Sequence, residues 1–170
     1  MIREEEKTKQ AAEFVVQRTF NAPRALVWKA FTESNHLEKW WGPVGFKLTV
    51  LKINLRPGGT FHYSMQSKGF TMWGRFVYRE IVVPEKIVYI SSFSDENGGI
   101  TRAPMLSTFP LEILNVVEFT EKDGKTLLTL KGTPINATEE DTKVFIDYFA
   151  SMNKGFNGTF DQLEEYLTKI

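Results

Sequence analysis

The sequence predicts an α+β domain, an antiparallel sheet with its helices on one face. Three observations carry that. One long helical period occupies residues 138–169, where Phe145, Phe149, Met152, Phe156, Phe160, Leu163 and Leu167 recur at steps of four and three and so share one stripe of a helix. Across residues 46–133 the period is instead that of strands. Those strand runs follow one another across short turns, which implies antiparallel pairing, and the helix stripe needs the broad apolar surface they supply.

Taken in order, residues 1–11 are charged and aperiodic and read as a flexible tail, leaving 12–170 as a single domain. Residues 13–20 are a β-rich run and form the first strand. Asn21-Ala22-Pro23 breaks it, and Pro23 suits the first helical position, where its missing N–H costs nothing. Val27, Trp28 and Phe31 fall on one side of a short helix. Ser34 or Asn35 caps a second, which runs through Leu37 to Trp41 and stops at Gly42-Pro43.

Thr49, Leu51, Ile53 and Leu55 alternate with polar or variable positions up to the turn Arg56-Pro57-Gly58-Gly59. Phe61, Tyr63 and Met65 alternate with His62, Ser64 and Gln66 as a half-buried strand. Residues 71–82 and 87–93 are further strands, separated by Pro84-Glu85. Residues 111–121 and 125–131 form a hairpin across Lys122-Asp123-Gly124, with Val117, Phe119, Leu128 and Leu130 facing inward. The intervening loop, 94–110, carries Ile100, Met105, Leu106 and Phe109. It is too apolar for a solvated loop and reads as a lid, with Met105 and Leu106 reaching inward. The final helix opens with Thr138 and Asp141, a variant capping box, and has Glu139 and Glu140 in its first turn.

Composition narrows the function classes. The 170 residues are 42% hydrophobic and 25% charged, ordinary for one globular domain. A chain of this length buries roughly 70% of its unfolded surface, so it folds without a disulfide or a metal. There is no cysteine, which excludes disulfides, thiolate catalysis and cysteine-ligated zinc and fits a reducing compartment. Lys plus Arg and Asp plus Glu both number 21, giving zero formal charge. A neutral chain without a basic run is poorly suited to nucleic acid or an anionic membrane. Arg3, Glu4, Glu5, Glu6 and Lys7 make no secretory signal, and no apolar run approaches the ~18 residues of a membrane span. The expectation is a cytoplasmic protein with no nucleic-acid or membrane partner.

Reactive constellations are sparse. His36 and His62 are the only histidines and show no metal-ligand spacing, so neither a metal nor a cofactor is expected. Nothing pairs Glu38, Glu112, Glu118 or Asp147 across a cleft. Arg75 and Arg79 alternate on a strand and face solvent, although an inward Arg75 would anchor a carboxylate. Gly155 and Gly158 sit inside the long helix, each costing about 1 kcal/mol relative to alanine. Gly155 lies in a row with Tyr148, Met152 and Thr159, consistent with close approach to the sheet or room for a ligand. Gly158 lies off the stripe and suggests a local bend.

Several short motifs, in order, resemble a known family. They are Asn21-Ala22-Pro23, Val27-Trp28, Phe31-Thr32, Trp40-Trp41-Gly42-Pro43, Arg56-Pro57-Gly58-Gly59, Gly74 with Tyr78 and Ile81, and Gly155-Phe156 before Leu163. Together they look like the AHSA-type family, related to the C-terminal domain of the activator of heat-shock protein 90 ATPase. That family lies within the START-like or SRPBCC superfamily, alongside the major birch-pollen allergen. Phe156 departs from the tryptophan often found there and keeps an aromatic. The resemblance implies the helix-grip fold: a curved antiparallel sheet of about seven strands around a long C-terminal helix, with two short helices after the first strand. It also implies a cavity for an apolar ligand between sheet and helix. Some relatives are polyketide cyclases, and the namesake is a co-chaperone.

The expected cavity lining is Trp41, Phe61, Tyr63, Trp73, Met105, Phe149, Met152 and Phe156. The leading functional expectation is a carrier or sensor of a small apolar ligand, acting as a monomer or weak homodimer. The alternatives are a cyclase-like or hydrolase-like enzyme, which the missing acid–base pair disfavours, and a co-chaperone-like module that binds heat-shock protein 90.

Overall fold

Period-two patterning builds one antiparallel sheet, whose inward residues meet a C-terminal helical arm. The strands are β1 (Phe14–Phe20), β2 (Lys47–Ile53), β3 (Thr60–Ser67), β4 (Phe70–Val82), β5 (Lys86–Ser94), β6 (Ile100–Thr101), β7 (Glu112–Lys122) and β8 (Lys125–Ile135). They lie in the order β1-β8-β7-β5-β4-β3-β2, with β6 paired to β5. The helices are α1 (Arg24–Thr32), α2 (Ser34–Trp40), α3 (Glu139–Asp147) and α4 (Phe149–Leu167). This computed structural model describes residues 12–170, and the tail expected over 1–11 lies outside them. The architecture is the expected α+β helix-grip arrangement, with eight strands rather than about seven. The extra strand is β6, two residues within the expected lid.

Local chemistry accounts for most boundaries. Asp123 and Gly124 have φ of 54° and 75°, the positive pair that a two-residue hairpin turn requires between β7 and β8. The Thr138 side chain accepts from the Asp141 N–H at 3.1 Å and caps α3. Val117, Phe119, Leu128 and Leu130 are all buried, as expected. Pro23 is the residue before α1 rather than its first, with extended φ and ψ. Glu33, not Ser34 or Asn35, precedes α2, and no side chain caps it.

Two expectations fail. On β2 the buried residue is Leu48, while Leu51 is exposed. The register against β3 shifts between Val50 and Lys52, and such a bulge inverts the inward phase of everything beyond it. The C-terminal helix is also not one rod. It breaks at Tyr148, where φ −93° and ψ 0° leave the helical region. The Tyr148 N–H is shared between the Val144 and Phe145 carbonyls at 3.1 and 3.2 Å. Phe145 is wholly buried there between Phe109 and Phe149, at ring distances of 5.8 and 5.3 Å. Beside the break, Phe145 packs on Phe109 of the 94–110 loop, a contact that a repeat read along the chain does not reveal.

Candidate functional site: a cavity between the sheet and the C-terminal helix

The inner face of the sheet is solid at one end and hollow at the other. The hollow lies where successive inward positions lose bulk. Phe14 on β1 pairs with Gly132 on β8, and Gly132 pairs with Asn115 on β7. On β5 the residue opposite Asn115 is Tyr89, and the next inward position, opposite Ile113, is Ser91. The small and polar residues among these leave a cavity of about 300 Å³, at the lower end of the roughly 300–1,000 Å³ typical of ligand sites. Tyr148, Met152 and Phe156 close it from the helical side, and Met105, Leu106 and Phe109 from the loop. A second space of about 120 Å³ adjoins it, sharing Ser91, Phe93, Phe109 and Ile113 and reaching Tyr63 and Gly74.

The loop wall is held by specific bonds. The Asp95 carboxylate accepts from the Asn97 and Gly99 N–H groups, both at 2.9 Å. Arg102 donates to the Phe109 carbonyl at 3.1 Å and pairs with the buried Asp141 of α3 at 3.3 Å. Met105 at the tip is 58% exposed. The opposite wall is fixed by α4, where Thr159 and Gln162 donate to the Gly42 carbonyl at 3.0 and 2.9 Å.

The eight expected lining residues divide. Met105, Met152 and Phe156 line the main cavity, and Tyr63 lines the smaller space. Trp41, Phe61 and Phe149 stand behind the lining. Trp41 packs edge-on to Phe76 at 5.6 Å, Phe61 lies 4.7 Å from Tyr63, and Phe149 lies 5.5 Å from Phe14. Trp73 is a correction. It alternates with buried Met72 and Gly74 and so takes the outer face of β4. Gly74 sets that phase, because a Cβ there would meet the Tyr63 ring at 2.5 Å.

Other residues weighed from the sequence also find places. Arg75 does not turn inward. It shares the outer face with His62, its cross-strand partner, and donates to the Gly98 carbonyl at 2.8 Å. The His62 Nε2 faces the Asp95 carbonyl at 3.3 Å, and His36 Nδ1 meets the Tyr166 hydroxyl at 2.6 Å. Among the described residues no group of three or more His, Cys, Asp or Glu is placed to hold a metal ion. Gly155 approaches nothing: no atom lies within 4 Å of where its Cβ would be. Gly158 is the more closely packed one: a Cβ there would stand 3.1 Å from Val44 Cγ2. Asn115, Ser91 and Gly132 were not anticipated, although a polar or side-chain-free residue at an inward strand position is a readable signal.

The described lining is mostly apolar and carries no charged side chain. Among the described residues, Tyr63 and Tyr148 are the only titratable side chains lining either space. Burial pushes the Tyr63 hydroxyl up to about 12, against the opposing effect of a hydrogen bond from Trp41. Burial also raises Tyr78 and Tyr89 behind it, and the neighbouring Tyr63 adds to both shifts. The Tyr63, Tyr78 and Tyr89 phenols stay protonated at neutral pH. Among the described residues no carboxylate, imidazole or amine lines either space to serve as a general base.

A family model described as "Activator of Hsp90 ATPase homolog 1-like protein" matches residues 21–168. No curated protein matches the chain. Among solved structures, a protein from Mycobacterium smegmatis is 25% identical, covering 95% of this chain and 94% of that one, with a TM-score of 0.76. One from Staphylococcus epidermidis is 27% identical, covering 92% and 90%, with a TM-score of 0.75. One from Arthrobacter aurescens, 22% identical over 95% and 88%, has a TM-score of 0.78 and supports the fold alone.

Proposed function

Since the chain belongs to the family of Activator of Hsp90 ATPase homolog 1-like proteins, we propose that it binds one small apolar molecule between sheet and C-terminal helix, as a carrier or sensor. The observation that carries this is the hollow beneath α4, where Gly132 and Ser91 stand at inward positions that elsewhere hold large side chains. Leaving a cavity of about 300 Å³ unfilled sacrifices packing. A guest of matching shape restores it. The size favours compact aromatic or medium-chain ligands over sterols. A cyclase-like or hydrolase-like activity is less well supported, because the lining holds phenols and no acid–base pair. A chaperone partner rests on the family description alone.

Binding to the native state raises the melting temperature by mass action, by about 2.7 kcal/mol of stability at a hundredfold excess over Kd. Compact aromatics, fatty acids and sterols, screened by thermal shift, are expected to give a hit among the compact aromatics. Met152→Trp, which fills the cavity from α4, is expected to abolish that shift. No shift from any class, or one that survives Met152→Trp, defeats the proposal. A pull-down with the host's own heat-shock protein 90 tests the chaperone alternative directly.

A further inference from the structure

Asn115 is the one amide in the cavity wall, and its neighbours determine which way it points. Its Nδ2 donates to the Ser91 hydroxyl oxygen at 2.9 Å and to the Ile113 carbonyl at 3.0 Å. A carbonyl can only accept, so the nitrogen must face Ile113 and the amide oxygen must face away. That oxygen lies 3.3 Å from where a Cβ on Gly132 would stand, and Gly132 lines the cavity. Among the described residues no group donates to it. The residue is only 5% exposed, yet its oxygen is not among the fully buried side-chain polar atoms that lack a partner, so it keeps accessible surface that a donor can reach. Ser91 accepts from Asn115, which leaves its hydroxyl hydrogen free to donate. The wall therefore presents an acceptor and a donor side by side in a chamber otherwise lined by apolar side chains and the Tyr148 phenol, with no charged side chain among the described lining residues.

Resting on the ligand-binding reading above, we infer that the guest is a neutral, compact apolar molecule carrying a hydroxyl group. Its O–H donates to Asn115 Oδ1, and its oxygen accepts from the Ser91 hydroxyl. A carboxylate has no proton to give Oδ1 and would bring a charge into a space that no cation lines. A plain hydrocarbon fills the volume but leaves the amide oxygen unpaired. Phe14, Phe93, Phe109 and Phe156 surround the polar pair and favour a flat aromatic body.

Naphthol, naphthalene and naphthoate separate these cases, because they share one ring system and differ only in the polar group. The quantity read is the naphthol-to-naphthalene affinity ratio, in the wild-type chain and in two variants. Asn115→Leu keeps the size and removes the acceptor. Ser91→Ala is the milder change and is expected to fold in any case. The ratio is expected to fall by about tenfold in Asn115→Leu and by less in Ser91→Ala. Naphthoate is expected to bind most weakly of the three. A ratio that neither variant changes overturns the inference, as does naphthoate binding as tightly as naphthol. Either result leaves the cavity reading standing, with water occupying the polar pair in the first case. If none of the three probes binds, this inference falls, and the cavity reading is then decided by the wider thermal-shift screen.

Discussion

Two residue pairs on one ladder show how this protein makes a solid core and a hollow from the same backbone. Phe119 pairs with Leu128, and Asn115 pairs with Gly132, across the same two strands. All four point toward the helices. Around the first pair Phe119 meets Trp28 and Phe31 edge-on at 5.4 and 5.2 Å, and Phe31 meets Trp40 at 4.6 Å. Trp40 is itself fixed by donating to the Ala30 carbonyl at 2.9 Å. Around the second pair there is open volume and an unfilled amide oxygen. Four residues along a strand, on the order of 13 Å, separate the two regimes. The difference is two side chains. A gap of this kind needs no change of fold, so the fold alone does not reveal its contents.

The largest expected effect tests whether the boundary between the two regimes is dry. In the folded chain the Tyr63 hydroxyl is pushed up to about 12, and those of Tyr78 and Tyr89 are also raised. The unfolded phenols ionise near 10, so above that pH the unfolded state binds fewer protons than the native state. Stability is fully present below pH ~10 and is lost as pH rises toward the folded values, by about 1.4 kcal/mol per pH unit per tyrosine. Three tyrosines together give roughly 4 kcal/mol per pH unit at most. Urea unfolding across this range measures the loss, while tyrosinate absorbance follows the folded protein. Phenols that ionise near their ordinary value without unfolding mean that solvent reaches them, and the contrast between solid and hollow ends then weakens.

A pair of truncations sharpens the contrast itself. Phe119→Ala removes a ring that is packed on all sides and is expected to cost about 3–5 kcal/mol. Phe156→Ala removes a half-buried ring with one side on the cavity, so fewer contacts are lost, and about 1–2 kcal/mol is expected. Denaturant midpoints for the two variants decide the matter. Equal costs mean that Phe156 is as tightly enclosed as Phe119.

The fold was legible because periodicity survives in single residues. Phe61, Tyr63 and Met65 turn inward, and Thr138 caps where its spacing from Asp141 says it should. The cavity was half legible for a physical reason. Large aromatic residues suggested the lining, yet a void is made by side chains that are absent, here at Gly132 and Ser91. Trp73 was misplaced by one strand position because the phase of β4 follows Gly74 tucked against the Tyr63 ring. Leu51 was misplaced by the bulge at Val50 and Lys52. Neither a tertiary contact nor a register slip leaves a mark in a period-two count. The break at Tyr148 likewise leaves no mark in the repeat, and beside it Phe145 packs on Phe109, thirty-six residues away in sequence.

The two glycines of α4 carry the comparison to its smallest scale. Gly158 lies against Val44, so an alanine there must displace an isopropyl group from 3.1 Å. Gly155 is exposed and faces open space, and there its helix gives up about 1 kcal/mol that alanine would recover. Gly155→Ala is therefore expected to stabilise the protein by about 1 kcal/mol, with Gly158→Ala gaining less. Naphthalene affinity is expected to be unchanged in Gly155→Ala, because residue 155 does not line the cavity although Met152 and Phe156 on either side of it do. A stabilised variant that binds naphthalene more weakly would assign the glycine to the hollow after all. It would mean that α4 must flex at residue 155 to admit a guest, and that the walls Met152 and Phe156 provide are hinged rather than fixed.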